Sequence, residues 1–95
     1  MKINDFIWLE EIIDKLETKH RLLPEEVEES FCISPLFIKG PKSRITGEPG
    51  YYCFGKSKDG RHIFSFFIFK QSQKALVISS RDMDHKERKF YEKRK

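Results

Sequence analysis

The chain has 95 residues, a formal net charge of +4, 36% charged residues and nine phenylalanines. We expect one domain over residues 1–95, burying roughly two-thirds of the surface of the unfolded chain. No stretch approaches the ~18 apolar residues of a membrane span, and no basic-then-apolar leader is visible, so we expect no membrane association and a cytoplasmic protein, or one whose export signal has been removed.

Charge is unevenly distributed along the chain. Residues 1–31 hold four Lys or Arg against nine Asp or Glu, residues 32–80 hold eight against two, and residues 81–95 hold seven against four. An acidic start and a basic remainder predict two electrostatic sides, of which the basic one would attract a polyanion or an acidic protein. Basic residues that only keep sheet edges soluble explain the charge equally well.

Two amphipathic helices are predicted at the start of the chain. An apolar stripe at helical spacing favours a helix from about Trp8 to Lys19. The stripe consists of Leu9, Ile12, Ile13 and Leu16. A second helix is expected to begin at Pro24 and to end before Pro35, because a residue that precedes proline is disfavoured in helix. Its predicted buried face consists of Leu23, Val27 and Phe31.

Beyond the second helix the apolar pattern changes to a period of two, which predicts strands. The predicted strands are Leu36–Lys39, Tyr51–Lys56, His62–Lys70 and Ala75–Ser80, with a loop over Gly40–Gly50. A tight turn is expected at Asp59-Gly60. The strand His62–Lys70 is apolar on both faces, with Phe64, Phe66 and Ile68 alternating with Ile63, Phe67 and Phe69. It is therefore expected to be buried on both faces and to be central in its sheet.

The end of the chain reads as a charged helix. Asp84 and Glu87 form a plausible capping box that opens a helix from about His85 to Lys93. Arg81, in the register of Val77 and Ser79, is expected to leave the end of the sheet with its charge outside the core. The predicted class is α+β, with two N-terminal helices, a four-stranded antiparallel meander and a C-terminal helix.

Most enzyme classes have no support in the sequence. The histidines His20, His62 and His85 lie on different elements without ligand spacing, so we expect neither a metal nor another cofactor. Cys32 and Cys53 are expected to be buried small hydrophobes and not a disulfide. A Gly-rich phosphate loop and a nucleophile elbow are both missing from the sequence.

A basic and aromatic cluster is the remaining signal. Its members come from the predicted sheet and the last helix: Tyr51, Tyr52, Arg61, Lys70, Arg81, His85, Arg88, Lys89 and Tyr91. Arg and Lys neutralise phosphates, and Tyr stacks on unpaired bases. Metal-free RNA cleavage needs a proton acceptor, a cation and a proton donor, so the cluster is compatible with it. A solvated charged helix would look much the same.

Three motifs resemble BrnT-type ribonuclease toxins. Segment 78–83, Ile-Ser-Ser-Arg-Asp-Met, followed by Lys-Glu-Arg-Lys-x-Tyr over 86–91, is similar to that family's Ile-Ser-Ala-Arg strand and Glu-Arg-Arg-x-Tyr helix. Lys19-His20 with the spaced Glu-Glu and Phe over 25–31, and Gly60-Arg61 before a hydrophobic strand, also match. Arg21 and Ser80 stand where the family has Gly and Ala, and the loop 40–50 matches poorly.

The resemblance implies a RelE-like fold and a metal-independent endoribonuclease toxin of a type II toxin–antitoxin system. A cognate antitoxin of the ribbon-helix-helix class would neutralise it, with homodimerisation inside the complex left open. Arg81 would stabilise the transition state and His20 or Lys19 would transfer protons, although His20 serves equally well as a structural helix end. Arg61 and Arg88 would bind the RNA backbone and Tyr91 would stack. The alternative is a non-catalytic module whose basic face binds RNA or an acidic protein.

Overall fold

One mixed five-stranded sheet organises residues 1–44 and 46–94, the part of the chain that this computed structural model describes. The elements are β1 (Asp5–Ile7), α1 (Glu10–Lys15), a π-helical turn (Leu16–His20), α2 (Pro24–Ser30), β2 (Leu36–Lys42), β3 (Pro49–Lys56), β4 (His62–Lys70), a 3-10 turn (Gln71–Gln73), β5 (Lys74–Asp82) and α3 (His85–Arg94). The α+β class is confirmed.

The predicted four-stranded antiparallel sheet is wrong in one respect. The strand order is β1-β5-β4-β3-β2, and β1 adds a parallel edge beside the first residues of β5, with Asp5 opposite Lys74 and Ile7 opposite Leu76. The other neighbouring strands are antiparallel, as expected. Three residues are too few to show a period of two, so β1 carries no signal in the sequence.

A β-bulge in β5 decides which side chains share a face. Phe67 pairs with Val77 and Phe66 pairs with Ser79, so Ile78 is the extra residue. Val77 consequently packs in the core beneath the helices, whereas Arg81 lies opposite Phe64 on the other face. The expectation that Arg81 shares the register of Val77 is therefore wrong, although its charge does lie outside the core.

The first helical segment, which consists of α1 and the π-helical turn, and the helix α2 cover one face of the sheet. This face is called here the covered face. Its buried residues are Ile12, Leu16, Leu22, Val27, Phe31, Cys53, Ile63, Phe67, Ala75 and Val77. Phe67 is the central ring, 5.0 Å from Phe31 and 5.8 Å from Phe37 between centroids. Its strand β4 is third among the five, which confirms the central position predicted for it. The hydroxyls of Ser65 and Ser80 bond to each other at 2.7 Å within this layer.

The helical boundaries differ from the predictions in small ways. The first helical segment begins at Glu10, and its last turn is π-helical and ends at His20. The next residue, Arg21, is left-handed, with φ 51° and ψ 42°. The second helix begins at Pro24, as predicted. Leu23 was expected on its buried face but is 51% exposed, and Leu22 is fully buried instead. Leu23 is the extended residue before the helix, so helical spacing does not apply to it.

The connections also differ in extent. β2 and β3 extend further than predicted, which leaves a connection of residues 43–48 where a loop over Gly40–Gly50 was expected. Ile45 in this connection lies outside the described residues. The turn before β4 is confirmed, with Gly60 at φ 85° and its N–H donating to the Ser57 carbonyl at 2.9 Å.

The cysteines and the last helix complete the described chain. Both thiols are free; Cys53 is buried as expected, and burial raises the pKa of its thiol, whereas Cys32 is exposed, contrary to expectation. The capping box of α3 is confirmed, since the Glu87 N–H donates to Asp84 Oδ1 and the Asp84 N–H donates to Glu87 Oε1. Over residues 1–44 and 46–94, no helix has the length and apolar character to span a membrane.

Candidate nucleic-acid interface

The second face of the sheet is covered by a helix at one end only. α3 packs there against Phe54, with Met83 and Tyr91 buried in the same cluster. A cleft of about 410 Å³ lies beyond α3, toward the β2–β3 connection. Its floor, which we call the open sheet face, consists of Tyr52, Phe64, Phe66, Ile78 and Ser79. The three aromatic rings are half-buried, and Tyr52 lies 5.2 Å from Phe64 and 5.5 Å from Phe66 between centroids.

Basic side chains surround the open sheet face. Lys42, the last residue of β2, and Arg44 of the β2–β3 connection line the cleft. Lys86 of α3 lines an adjoining recess that also contains Tyr52. Within residues 1–44 and 46–94, none of these three cations takes part in an ion pair. Their charges are therefore available to an anionic ligand.

Arg81 is fixed at the margin of the open sheet face. Its guanidinium forms a bidentate pair with Glu87, at 2.7 Å and 2.8 Å, and its central carbon lies 4.8 Å from the centre of the Phe64 ring. The hydrogen bonds of this pair raise the pKa of Arg81 and lower that of Glu87. The Arg81 side chain is still 42% exposed, so a held cation faces solvent beside an aromatic floor.

Lys19 and His20 lie elsewhere. They line a small cleft of about 160 Å³ between the first helical segment and β5, on the helical side of the sheet. Ile78 and Ser79 line both this cleft and the open sheet face, so the two meet at the bulge of β5. The structure does not bring Lys19 and His20 together with Arg81.

Arg61 is engaged within the protein. Its Nε and Nη2 bind the Asp82 carboxylate at 2.6 Å and 3.0 Å, Nη2 also donates to the His20 carbonyl at 2.7 Å, and Nη1 donates to the Arg21 carbonyl at 2.9 Å. The hydrogen bonds from Arg61 lower the pKa of Asp82. Arg61 thus ties the end of the π-helical turn to β5, and its predicted contact with RNA stays a prediction.

Arg88 and Tyr91 do not share an exposed helix face. Arg88 is exposed on the outside of α3, about 200° around the helix from Phe90, which packs on the sheet. Tyr91 is fully buried, and its hydroxyl donates to the Ser34 carbonyl at 2.7 Å. The expectation that Tyr91 presents its ring to a base is therefore wrong, because the ring fills the space between α3 and the sheet.

Sequence reasoning missed most of the open sheet face. Tyr52 belongs to the predicted basic and aromatic cluster, but Phe64 and Phe66 were expected to be buried. A length comparison would have found them. A ten-residue helix such as α3 is about 15 Å long, whereas the nine-residue strands β4 and β5 are each about 30 Å long. One short helix therefore leaves part of a strand pair uncovered.

Over the described residues, no group of three or more His, Cys, Asp or Glu side chains is arranged to hold a metal ion.

Comparisons with known proteins assign no family to this chain. A scan of the sequence against models of known protein families finds no match, and a search of curated proteins finds no match either.

Proposed function

We propose that this protein is an endoribonuclease toxin of a type II toxin–antitoxin system, which cleaves RNA without a metal ion. The observation that carries the proposal is Arg81, a held and partly exposed cation beside the aromatic floor of an uncovered sheet face. The resemblance to BrnT-type toxins, with their RelE-like fold, supports it. That family has Gly where Arg21 adopts the left-handed backbone that Gly adopts most readily.

The proposed reaction needs only protein groups and the RNA itself. The ribose 2′-oxygen attacks the adjacent phosphorus and the bond from phosphorus to the 5′-oxygen breaks, which gives a 2′,3′-cyclic phosphate and a 5′-hydroxyl. One proton leaves the 2′-oxygen and one is delivered to the 5′-oxygen. Arg81 stabilises the negative charge that develops on the phosphorane oxygens. His20 or Lys19 transfers protons if the RNA crosses β5 at Ser79, which lines both clefts.

The separation of these groups favours a second candidate, a non-catalytic module that binds RNA or an acidic protein. Glu87 already occupies both terminal nitrogens of Arg81. Lys19 and His20 approach β5 from the other side of the sheet. Binding on the open sheet face needs neither proton transfer nor release of Glu87.

Cleavage assays separate the two candidates. Purified protein should cleave RNA equally in EDTA and in magnesium. Arg81→Ala should lower the rate about a hundredfold or more, which corresponds to ~3 kcal/mol of lost transition-state stabilisation. Arg94→Ala is the matched control, since Arg94 lies in the last turn of α3 over Phe90. Intact RNA with folded wild-type protein would refute the nuclease, and salt-sensitive binding would then support the module.

The proposed antitoxin, of the ribbon-helix-helix class, would cover the open sheet face and α3. The acidic exterior of α1 and α2 lies on the opposite side of the sheet and would repel an acidic inhibitor from there. A lasting complex should bury on the order of 1,600 Å². Hydrogen exchange in the complex should show protection on β3–β5 and α3. Protection confined to residues 8–31 would place the partner on the wrong side for this proposal.

A further inference from the structure

Cross-strand pairing and close packing hold the aromatic floor of the open sheet face in place. Tyr52 and Phe66 are cross-strand partners on β3 and β4. The Phe66 ring lies over Gly50, where an added Cβ would come within 2.2 Å of the ring and 2.7 Å of the Pro41 carbonyl oxygen. Gly50 thus leaves free the space that the Phe66 ring occupies. Phe64 lies between the guanidinium of Arg81 and the stacked ring of Tyr52, so the aromatic surface that lines the cleft away from Arg81 comes from the partly exposed rings of Tyr52 and Phe66.

The charges around this floor indicate what it binds. Lys42 and Arg44 stand on one side, Arg81 stands beyond Phe64 on the other, and the carboxylate nearest Arg81 is the Glu87 already paired with it. A ligand that fits has a flat unsaturated ring and negative charges on both sides of it. An unpaired nucleotide within a strand has this form, whereas duplex RNA hides the faces of its bases.

We propose that Tyr52 and Phe66, whose ring planes are tilted by 55°, form an aromatic platform for one unpaired base, which stacks on one ring and meets the other with its edge. The flanking phosphates lie at Lys42 and Arg44 on one side and at Arg81 on the other. The protein therefore acts on single-stranded RNA or on loops and not on duplex. This proposal deepens the proposed function and depends on RNA being the ligand of this face.

The test uses a 2′-O-methyl oligonucleotide that contains 2-aminopurine, because this RNA analogue has no 2′-hydroxyl to start cleavage. Binding should quench the fluorescence of the 2-aminopurine. Tyr52→Leu and Phe66→Leu should each weaken binding about tenfold or more, and Tyr52→Phe should keep it. Tyr51→Leu is the matched control, because the neighbouring ring faces the covered side and packs on Phe67 and Phe69. The same strand in a duplex should bind far more weakly.

Each outcome bears on a separate claim. Unchanged affinity in both leucine variants, or equal affinity for duplex and single strand, would overturn the platform even if wild-type protein cleaves RNA. Binding that depends on Tyr52, without any cleavage of natural RNA, would support the platform and refute the nuclease. If no oligonucleotide binds and an acidic protein protects Tyr52 and Phe66 instead, the face is a protein interface and the platform is overturned. A variant that does not unfold cooperatively is replaced by the other, since the two rings come from different strands.

Discussion

The two faces of the sheet use the same strand in opposite ways. On β4, Phe67 is fully buried among Phe31, Phe37 and Tyr51, whereas the preceding Phe66 is only partly buried and lines the open cleft. Both are phenylalanines at the centre of the same sheet, so residue type does not decide which is buried. The elements that pack on each face decide, so a strand that is apolar on both sides can contribute one face to the core and leave part of the other accessible to solvent.

The faces also differ in charge. The helices over the covered face carry most of the acidic residues of the chain, and their carboxylates point outward, as at Glu10, Glu11, Asp14 and Glu17. The open sheet face is bordered by Lys42, Arg44, Arg81 and Lys86. A polyanion approaching this molecule is therefore repelled by one side and attracted by the other, which directs it to the aromatic floor.

The largest expected loss of stability comes from a substitution in the covered face. Phe67→Ala removes a fully buried ring and should lower the free energy of unfolding by about 3–5 kcal/mol. Phe66→Ala, one residue away, should cost less because its ring is already partly exposed to water. Urea denaturation of both variants measures the difference. Equal losses would show that the open sheet face is a second core and not a surface.

A smaller loss of stability is expected where the backbones of β3 and α2 pack closely against each other. A Cβ at Gly55 would lie 1.8 Å from the Ser30 carbonyl oxygen of α2, so Gly55→Ala should cost about 1–3 kcal/mol or more through forced displacement of the helix. At Gly40, an added Cβ would meet only the edge of the Tyr52 ring at 3.0 Å, on the open side. Gly40→Ala should therefore be the milder change by thermal denaturation, and the reverse order would contradict the assignment of the faces.

Lowering the pH should reduce the free energy of unfolding by a smaller amount, through one ion pair on each side of the sheet. Hydrogen bonds from Arg61 and Arg81 hold the pKa values of Asp82 and Glu87 below their ordinary values of 3.8 and 4.5. Stability from these pairs is full above the unfolded pKa and is lost as pH falls through the folded one, so it should decline below about pH 4.5. Such partly exposed pairs contribute roughly 0.2–1 kcal/mol each. Urea midpoints against pH for Asp82→Asn and Glu87→Gln would separate them, and a flat profile in wild type would contradict both.

The smallest expected effect is a gain in stability. Arg21→Gly relieves a left-handed backbone at φ 51°, and it keeps the carbonyl that accepts from Arg61. The gain is offset in part by the greater freedom of glycine in the unfolded chain, so we expect at most about 1 kcal/mol. A rise of a few degrees in the melting temperature would confirm it. A fall would mean that the Arg21 side chain contributes more than its backbone costs.

Much of the fold could be predicted because period and turn chemistry are local. The alternation along His62–Lys70 fixed its two faces correctly, and Pro24 marked the start of α2. The Asp84 and Glu87 capping box and the turn at Gly60 were found for the same reason. Each of these signals lies within a few residues of the feature that it specifies.

Features that depend on distant packing could not be predicted. β1 pairs with a strand about 70 residues further along the chain, and the burial of Tyr91 depends on how α3 meets the sheet. For the site, Arg81 could be placed at the surface from sequence. The separation of Arg81 from Lys19 and His20 could not be predicted. The bulge at Ile78 decides on which face of the sheet Arg81 lies, and no residue type marks that bulge in the sequence.

Because Ile78 is an extra residue in β5, the number of residues in the strand, rather than their chemical type, decides which side chains face this surface. Side chains of a strand alternate between faces, so loss of one residue between Val77 and Ser80 would turn over everything that follows it. Ser80 would then face outward, and the guanidinium of Arg81 would be driven under the helices. No single substitution has that effect. A lineage of such chains would therefore gain or lose its charged sheet face in one step, by an insertion or deletion at this position that leaves the rest of the composition unchanged.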